Sequence, residues 1–226
     1  MKQGSIPKTL VRGVFVTMLL SGLITAAHGA DGESQAWVQF WASANITDRV
    51  GVKLVREDRF RDSDEDKYYY GYTELGFPVK LNDHWSVAPA IRAVRALRGG
   101  EWRDDLMPQG NLMHKTALGP VTLKNRARLA KTYKEAADVD PVEYQHKTDL
   151  VLTKGWGSWN VRPYAAEEVF YDFDEHDLTR FRTYGGLLVS PVKKVSVDLY
   201  VMREDTKAAG GWTDILVFGL AGGYEF

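Results

Sequence analysis

From Arg49 onward, apolar and polar residues take turns along the chain in runs of about ten residues. Val50, Val52 and Leu54 alternate with Gly51, Lys53, Val55, Glu57 and Arg59. Leu123, Ala127 and Leu129 alternate with Lys124, Arg126 and Arg128, and Val195, Val197, Leu199 and Val201 with Ser196, Asp198, Tyr200 and Glu204. A period of two puts successive side chains on opposite faces of an extended strand, so each run predicts a strand with one apolar and one polar face. The pattern recurs with Tyr69, Gly71, Thr73, Leu75 and Phe77 against Tyr68, Tyr70, Tyr72, Glu74 and Gly76. It returns with Val161, Pro163, Ala165, Val169 and Tyr171 against Arg162, Tyr164, Ala166, Glu168 and Asp172, and with Phe181, Leu187 and Val189 against Arg180 and Arg182.

The connections alternate too. Short turns are expected at Asn45 to Asp48, Leu81 to His84, Gly119 to Pro120, Gly155 to Ser158 and Pro191 to Lys194. Longer charged loops are expected at Arg61 to Asp66, Arg98 to Asp105, Lys134 to Pro141, Phe173 to Asp177 and Asp205 to Gly211. Short turns on one side and long loops on the other are the signature of an outer-membrane barrel. The predicted fold is therefore all-β: an antiparallel up-and-down transmembrane β-barrel of ten to twelve strands. Eleven segments are legible, and because bacterial barrels carry even numbers of strands, twelve is favoured over ten. The last segment, "GLAGGYEF", runs in strand alternation to Phe226, so the final strand is expected to pair with the first, near Ser34 to Ala44, and close the barrel.

The amino-terminal end reads differently. Lys2, Lys8 and Arg12 precede the apolar run Gly13 to Ile24, which is followed by Ala26, Ala27, Gly29 and Ala30. That run is short of the ~20 residues a spanning helix needs, so residues 1–29 are expected to be a cleaved secretory signal and 30–226 a single barrel domain. Three of the 29 basic residues lie in the leader, which leaves 26 against 30 acidic ones and no basic face for nucleic acid. There are no cysteines, hence no disulfide framework. A mean hydropathy of −0.32 would ordinarily suggest a soluble protein, but alternating faces cancel in any such average. Seven tryptophans, Trp37, Trp41, Trp85, Trp102, Trp156, Trp159 and Trp212, fall mostly near predicted strand ends, where aromatic girdles lie. A soluble periplasmic β-sandwich is the alternative fold.

If the apolar faces meet lipid, the lumen holds Lys53, Glu57, Arg59, Glu74, Arg92, Lys124, Arg126, Arg128, Lys147, Asp149, Arg162, Glu168, Asp172, Arg180, Arg182, Asp198 and Glu204. The pairs Arg126 with Arg128 and Arg180 with Arg182 set two guanidiniums about 7 Å apart on one strand face. Two uses fit: a basic track for small anionic solutes, or ion pairs with Glu168, Asp172, Asp149 and Asp198. The lumen is thus a narrow channel or a structural filling.

Enzymatic and metal chemistry find little support. A lipid hydrolase at the membrane rim, the alternative function, needs a serine activated by a histidine, and His84, His114, His146 and His176 stand in no such pattern. The acidic runs "DSDED" and "DFDEH" lack the glycine and terminal glutamate of a calcium loop. No catalytic residue, metal or cofactor is expected.

The segments "LKNRARLAKTY", "RPYAAEEVFYDFDEHDLTRFRTYGG" and "VSVDLYVMRED" resemble a widespread family of uncharacterised bacterial outer-membrane proteins grouped as a domain of unknown function. Its strand motifs are matched here by Asn125, Arg126, Arg128, Pro163, Tyr164, Glu168, Phe170, Tyr171, Arg180, Arg182, Tyr184, Gly186, Leu199 and Tyr200, with Ala130 where a glutamate is expected. In layout the chain is more distantly similar to twelve-stranded oligosaccharide porins. The resemblance implies a Gram-negative outer-membrane location after export, contact with bilayer lipids, and recognition of the terminal strand, with Tyr224 and Phe226, by the barrel-assembly machinery. It implies no activity, and oligomeric state is left open.

Overall fold

The computed structural model describes residues 34–62, 67–135 and 140–226, and every regular element in them is a strand. The expected signal segment and most of the "DSDED" tip lie outside the described residues. The strands are β1 (Ser34–Asn45), β2 (Gly51–Arg61), β3 (Tyr68–Gly76), β4 (Val79–Lys80), β5 (Trp85–Arg98) and β6 (Glu101–Leu118). They continue as β7 (Val121–Lys131), β8 (Val142–Leu152), β9 (Arg162–Asp172), β10 (Asp177–Val189), β11 (Val195–Ala208) and β12 (Gly211–Glu225). Each pairs with its neighbours, and the sheet closes on itself through β1 and β12.

Twelve strands are present, but they make eleven staves. The two-residue β4 pairs with β5 just beyond the stretch of β5 that pairs with β3, so β3 and β4 are one stave interrupted at Pro78, which has no N–H to give to a ladder. Neighbouring staves run antiparallel, and in a closed ring of eleven that rule must fail once. It fails at the closure, where β1 and β12 run parallel from Ser34 opposite Leu216 to Ser43 opposite Glu225.

The expected short turns are in place. Two of the expected long loops are not. Arg98 pairs with Glu101 and Ala208 with Gly211, so the segments read as loops at 98–105 and 205–211 are strand continued into tight hairpins. Gly99 (φ 59°) and Gly100 (φ 82°) supply the left-handed backbone that such a turn demands. The charges there lie on both faces of extended strand, Arg103 and Asp105 on one and Asp104 on the other, which suits a ladder rising beyond the apolar band as well as it suits a loop.

Two irregularities re-aim side chains. A bulge at Arg59/Phe60 shifts Tyr69 so that its hydroxyl donates to Gln35 Oε1, while Tyr68 moves to the outer face, the reverse of the sequence pattern. On the inner face, three glycines let aromatic rings lie flat against the next strand: Tyr200 over Gly219, Trp41 over Gly223 and Tyr164 over Gly186. A Cβ at Gly219 would sit 1.9 Å from the Tyr200 ring. Gly219→Ala is therefore expected to destabilise the barrel by about 1–3 kcal/mol, as overpacking does. Gly222→Ala, with open space beyond it, should leave the urea midpoint in detergent micelles unchanged.

The outer wall is apolar. Phe40, Leu54, Leu75, Ile91, Leu112, Leu129, Leu199 and Phe218 are all exposed on it, large apolar side chains on eight of the eleven staves. Trp85, Trp102 and Trp212 lie near strand ends, and Trp156 and Trp159 in the turn before β9. Trp37 and Trp41 depart from the girdle expectation: both point inward.

Candidate functional site

A ring of buried side chains lines the interior. Each of the eleven staves contributes an inward side chain that is no more than 9 % exposed: Trp37, Glu57, Tyr72, Arg92, Gln109, Arg128, Gln145, Glu168, Arg182, Met202 and Val217. Much of this layer is knit by contacts that step from stave to stave. Arg182 Nη1 lies 3.3 Å from Glu168 Oε2, and its guanidinium is 5.0 Å from the Trp37 ring. The other face of the network continues with Arg59, 3.6 Å from the same tryptophan ring and 2.8 Å from Glu57. Tyr72 Oη then donates to Glu57 (3.1 Å), Arg92 lies 3.8 Å from the Tyr72 ring and binds Glu74 (2.6 Å), and Gln109 donates to Glu74 (2.7 Å). An apolar group of Trp37, Val151, Tyr164, Ala166, Tyr184, Met202 and Val217 packs beside it.

Glu168 is the hub. Its carboxylate accepts from Arg126, from Arg182 and from the Tyr184 hydroxyl (2.8 Å), and its side chain is almost wholly buried. Charge-assisted contacts of this kind satisfy groups that would otherwise be costly to bury. Arg182 has a second acid in Glu204 at 2.6 Å.

The remaining residues singled out in the sequence divide. Among the described residues Arg128 binds no carboxylate; it donates to Asn111 (2.8 Å) and Gln145 (3.3 Å). Arg180 lies over the Phe170 ring, and its Nε, like that of Arg162, is buried without a hydrogen-bond partner. Lys147 pairs with Asp149 at 3.5 Å along its own strand and approaches the Tyr184 ring. Asp198 accepts from the Tyr164 hydroxyl (3.1 Å). Asp172 is used locally: it accepts from the backbone N–H groups of Asp174 and Glu175 and caps the β9–β10 turn. Tyr224 and Phe226 stand exposed at the end of β12, their rings 4.9 Å apart.

Sequence reasoning missed charges on the outer wall. Arg56 and Asp58 share a face with Leu54 and Phe60, as extending the period of two through "LVREDRF" would have shown. They pair with each other, and Arg56 also donates to the Tyr68 hydroxyl (2.9 Å) and Thr73 (3.3 Å). On the opposite side His146 sits between Tyr144 and Thr148, at 3.3 Å from each hydroxyl, beside the outward Glu167.

A closed barrel that is apolar outside and charged inside defines the class of outer-membrane β-barrels. Within it, residues 34–214 match the family model described as "Protein of unknown function (DUF2490)", and the chain belongs to that family. Among solved structures it is similar to LpxR from Salmonella typhimurium, with a TM-score of 0.52 at 10 % identity over 78 % of this chain and 83 % of that one. It also matches the NanC porin, with a TM-score of 0.48 at 10 % identity over 77 % of this chain and 87 % of that one. No curated protein matches the sequence.

Proposed function

We propose that the protein is a closed, non-enzymatic barrel of the Gram-negative outer membrane, its lumen filled by a fixed charged scaffold and not an open path for solutes. The observation that supports this is the mid-height layer to which all eleven staves contribute a buried side chain. Buried ion pairs of this kind resist rearrangement, because separating either partner leaves an uncompensated charge. The apolar outer wall supports contact with bilayer lipids, and the exposed Tyr224–Phe226 pair supports recognition of the terminal strand during assembly.

Planar-bilayer recording of the refolded chain without residues 1–29 tests the reading. The expected result is no stable conductance steps in concentrated KCl from protein whose heat-modifiable mobility shows a folded barrel. Steady anion-selective steps that lose selectivity in an Arg126→Ala, Arg128→Ala variant would sink it and establish a narrow channel with a basic track.

A further inference from the structure

Between the filled layer and the short-turn end of the barrel lies a cavity of ≈ 340 Å³. Lys115, Lys124, Arg126 and Lys147 line it together with a single carboxylate, Asp149, and His84 stands at its mouth. Asp149 is taken by Lys147 at 3.5 Å. Among the described residues no carboxylate comes within ion-pair distance of Lys115 or Lys124. Arg126 spends one terminal nitrogen on Glu168, while its Nε is buried without a hydrogen-bond partner. The charges of the barrel interior are thus unevenly placed: acids neutralise arginines in the filled layer, and below it four cations line a cavity with Asp149, while Asp198 stands further along the wall.

Like charges held together repel, and an anion placed among them relieves that repulsion. Two flexible ammonium groups beside a guanidinium suit a compact oxyanion with several acceptor oxygens. We propose that this cavity is a binding site, entered from the short-turn end and blind at the other, for a small multivalent oxyanion of the phosphate class. The proposal does not depend on whether the lumen conducts, because the cations lie on the entry side of the filled layer in either case.

Calorimetric titration of the folded barrel in zwitterionic micelles at low ionic strength, with inorganic pyrophosphate as probe, tests it. Saturable binding is expected, weakened roughly tenfold or more in a Lys115→Gln, Lys124→Gln variant, since each ammonium contributes directly to the anion's attraction. Neither lysine has an ion-pair partner among the described residues, so the variant should keep its heat-modifiable mobility. Lys207→Gln, at the far end of the barrel on a hairpin, should bind as the parent does. A second arm uses short-chain phosphatidic acid in the micelles to distinguish a lipid phosphate from a free solute. Saturation by the lipid alone, no saturable heat with pyrophosphate, or binding that survives loss of both lysines would each overturn the proposal.

Discussion

Exchanging Glu168 for glutamine lowers the unfolding free energy of the barrel by about 3–5 kcal/mol, the cost of breaking a buried ion pair by removing one partner. The substitution preserves shape and leaves an acceptor for the Tyr184 hydroxyl, so the loss reports charge and not packing. Arg182 keeps Glu204 at 2.6 Å, whereas Arg126 has no second carboxylate within ion-pair distance among the described residues. Most of the penalty therefore falls on Arg126. A Glu168→Gln, Arg126→Gln double variant should accordingly recover a large part of it. Urea titrations of the four species in lipid vesicles, followed by tryptophan fluorescence and arranged as a double-mutant cycle, measure the coupling directly. A single variant as stable as the parent, or a double variant as weak as the sum of both singles, would show that the layer is held by packing alone.

The second large effect lies on the opposite face of the wall. Arg56 is the middle residue of the 11-residue β2 and faces outward just below the row that joins Asp58 to Arg95 and Asp104, at the rim of the apolar band. Its partner there is Asp58, two residues along. Asp58→Leu would leave the guanidinium with only the Tyr68 and Thr73 hydroxyls. A lone Arg facing lipid costs about 2–4 kcal/mol at the midplane and about 0–1 kcal/mol near an interface, and at the rim of the band the single variant is expected to lose about 1–2 kcal/mol. Replacing both residues by leucine removes the charge altogether and should restore stability to the parent value or above. The same vesicle titration decides it: equal stability of the single and double variants would place Arg56 in contact with water and contradict a bilayer around this face.

Much of the wall was legible because alternation is a local property. Lys124, Arg126 and Arg128 point inward and Leu123, Ala127 and Leu129 outward in the structure as the period of two demands, with no long-range information needed. The exception at Tyr68 and Tyr69 has a nonlocal cause, a bulge opposite Phe60 on another strand. The segments 98–105 and 205–211 read as loops on charge density alone, yet they are strand, because a ladder that rises past the apolar band carries charge on both faces. The closure was anticipated in its location and not in its direction. Whether the first and last staves run parallel depends on whether their number is odd; the eleven legible segments match the eleven staves, and the even-number rule points away from that count.

The partners of the inward charges were beyond reach of the sequence. Arg126 meets Glu168 across an intervening strand, while Arg128, two residues on, meets the neutral Asn111 and Gln145. Strand tilt and ladder register set these neighbours, and neither is encoded within a segment. The sequence by itself determined that the chain is built of strands, which face of most strands is apolar, and that the interior is polar, because each of these follows from one residue and its nearest neighbours. Only the tertiary structure decided which inward side chains are buried, which acid holds which arginine, and where cations are left without one, because those are properties of eleven staves brought round to face each other.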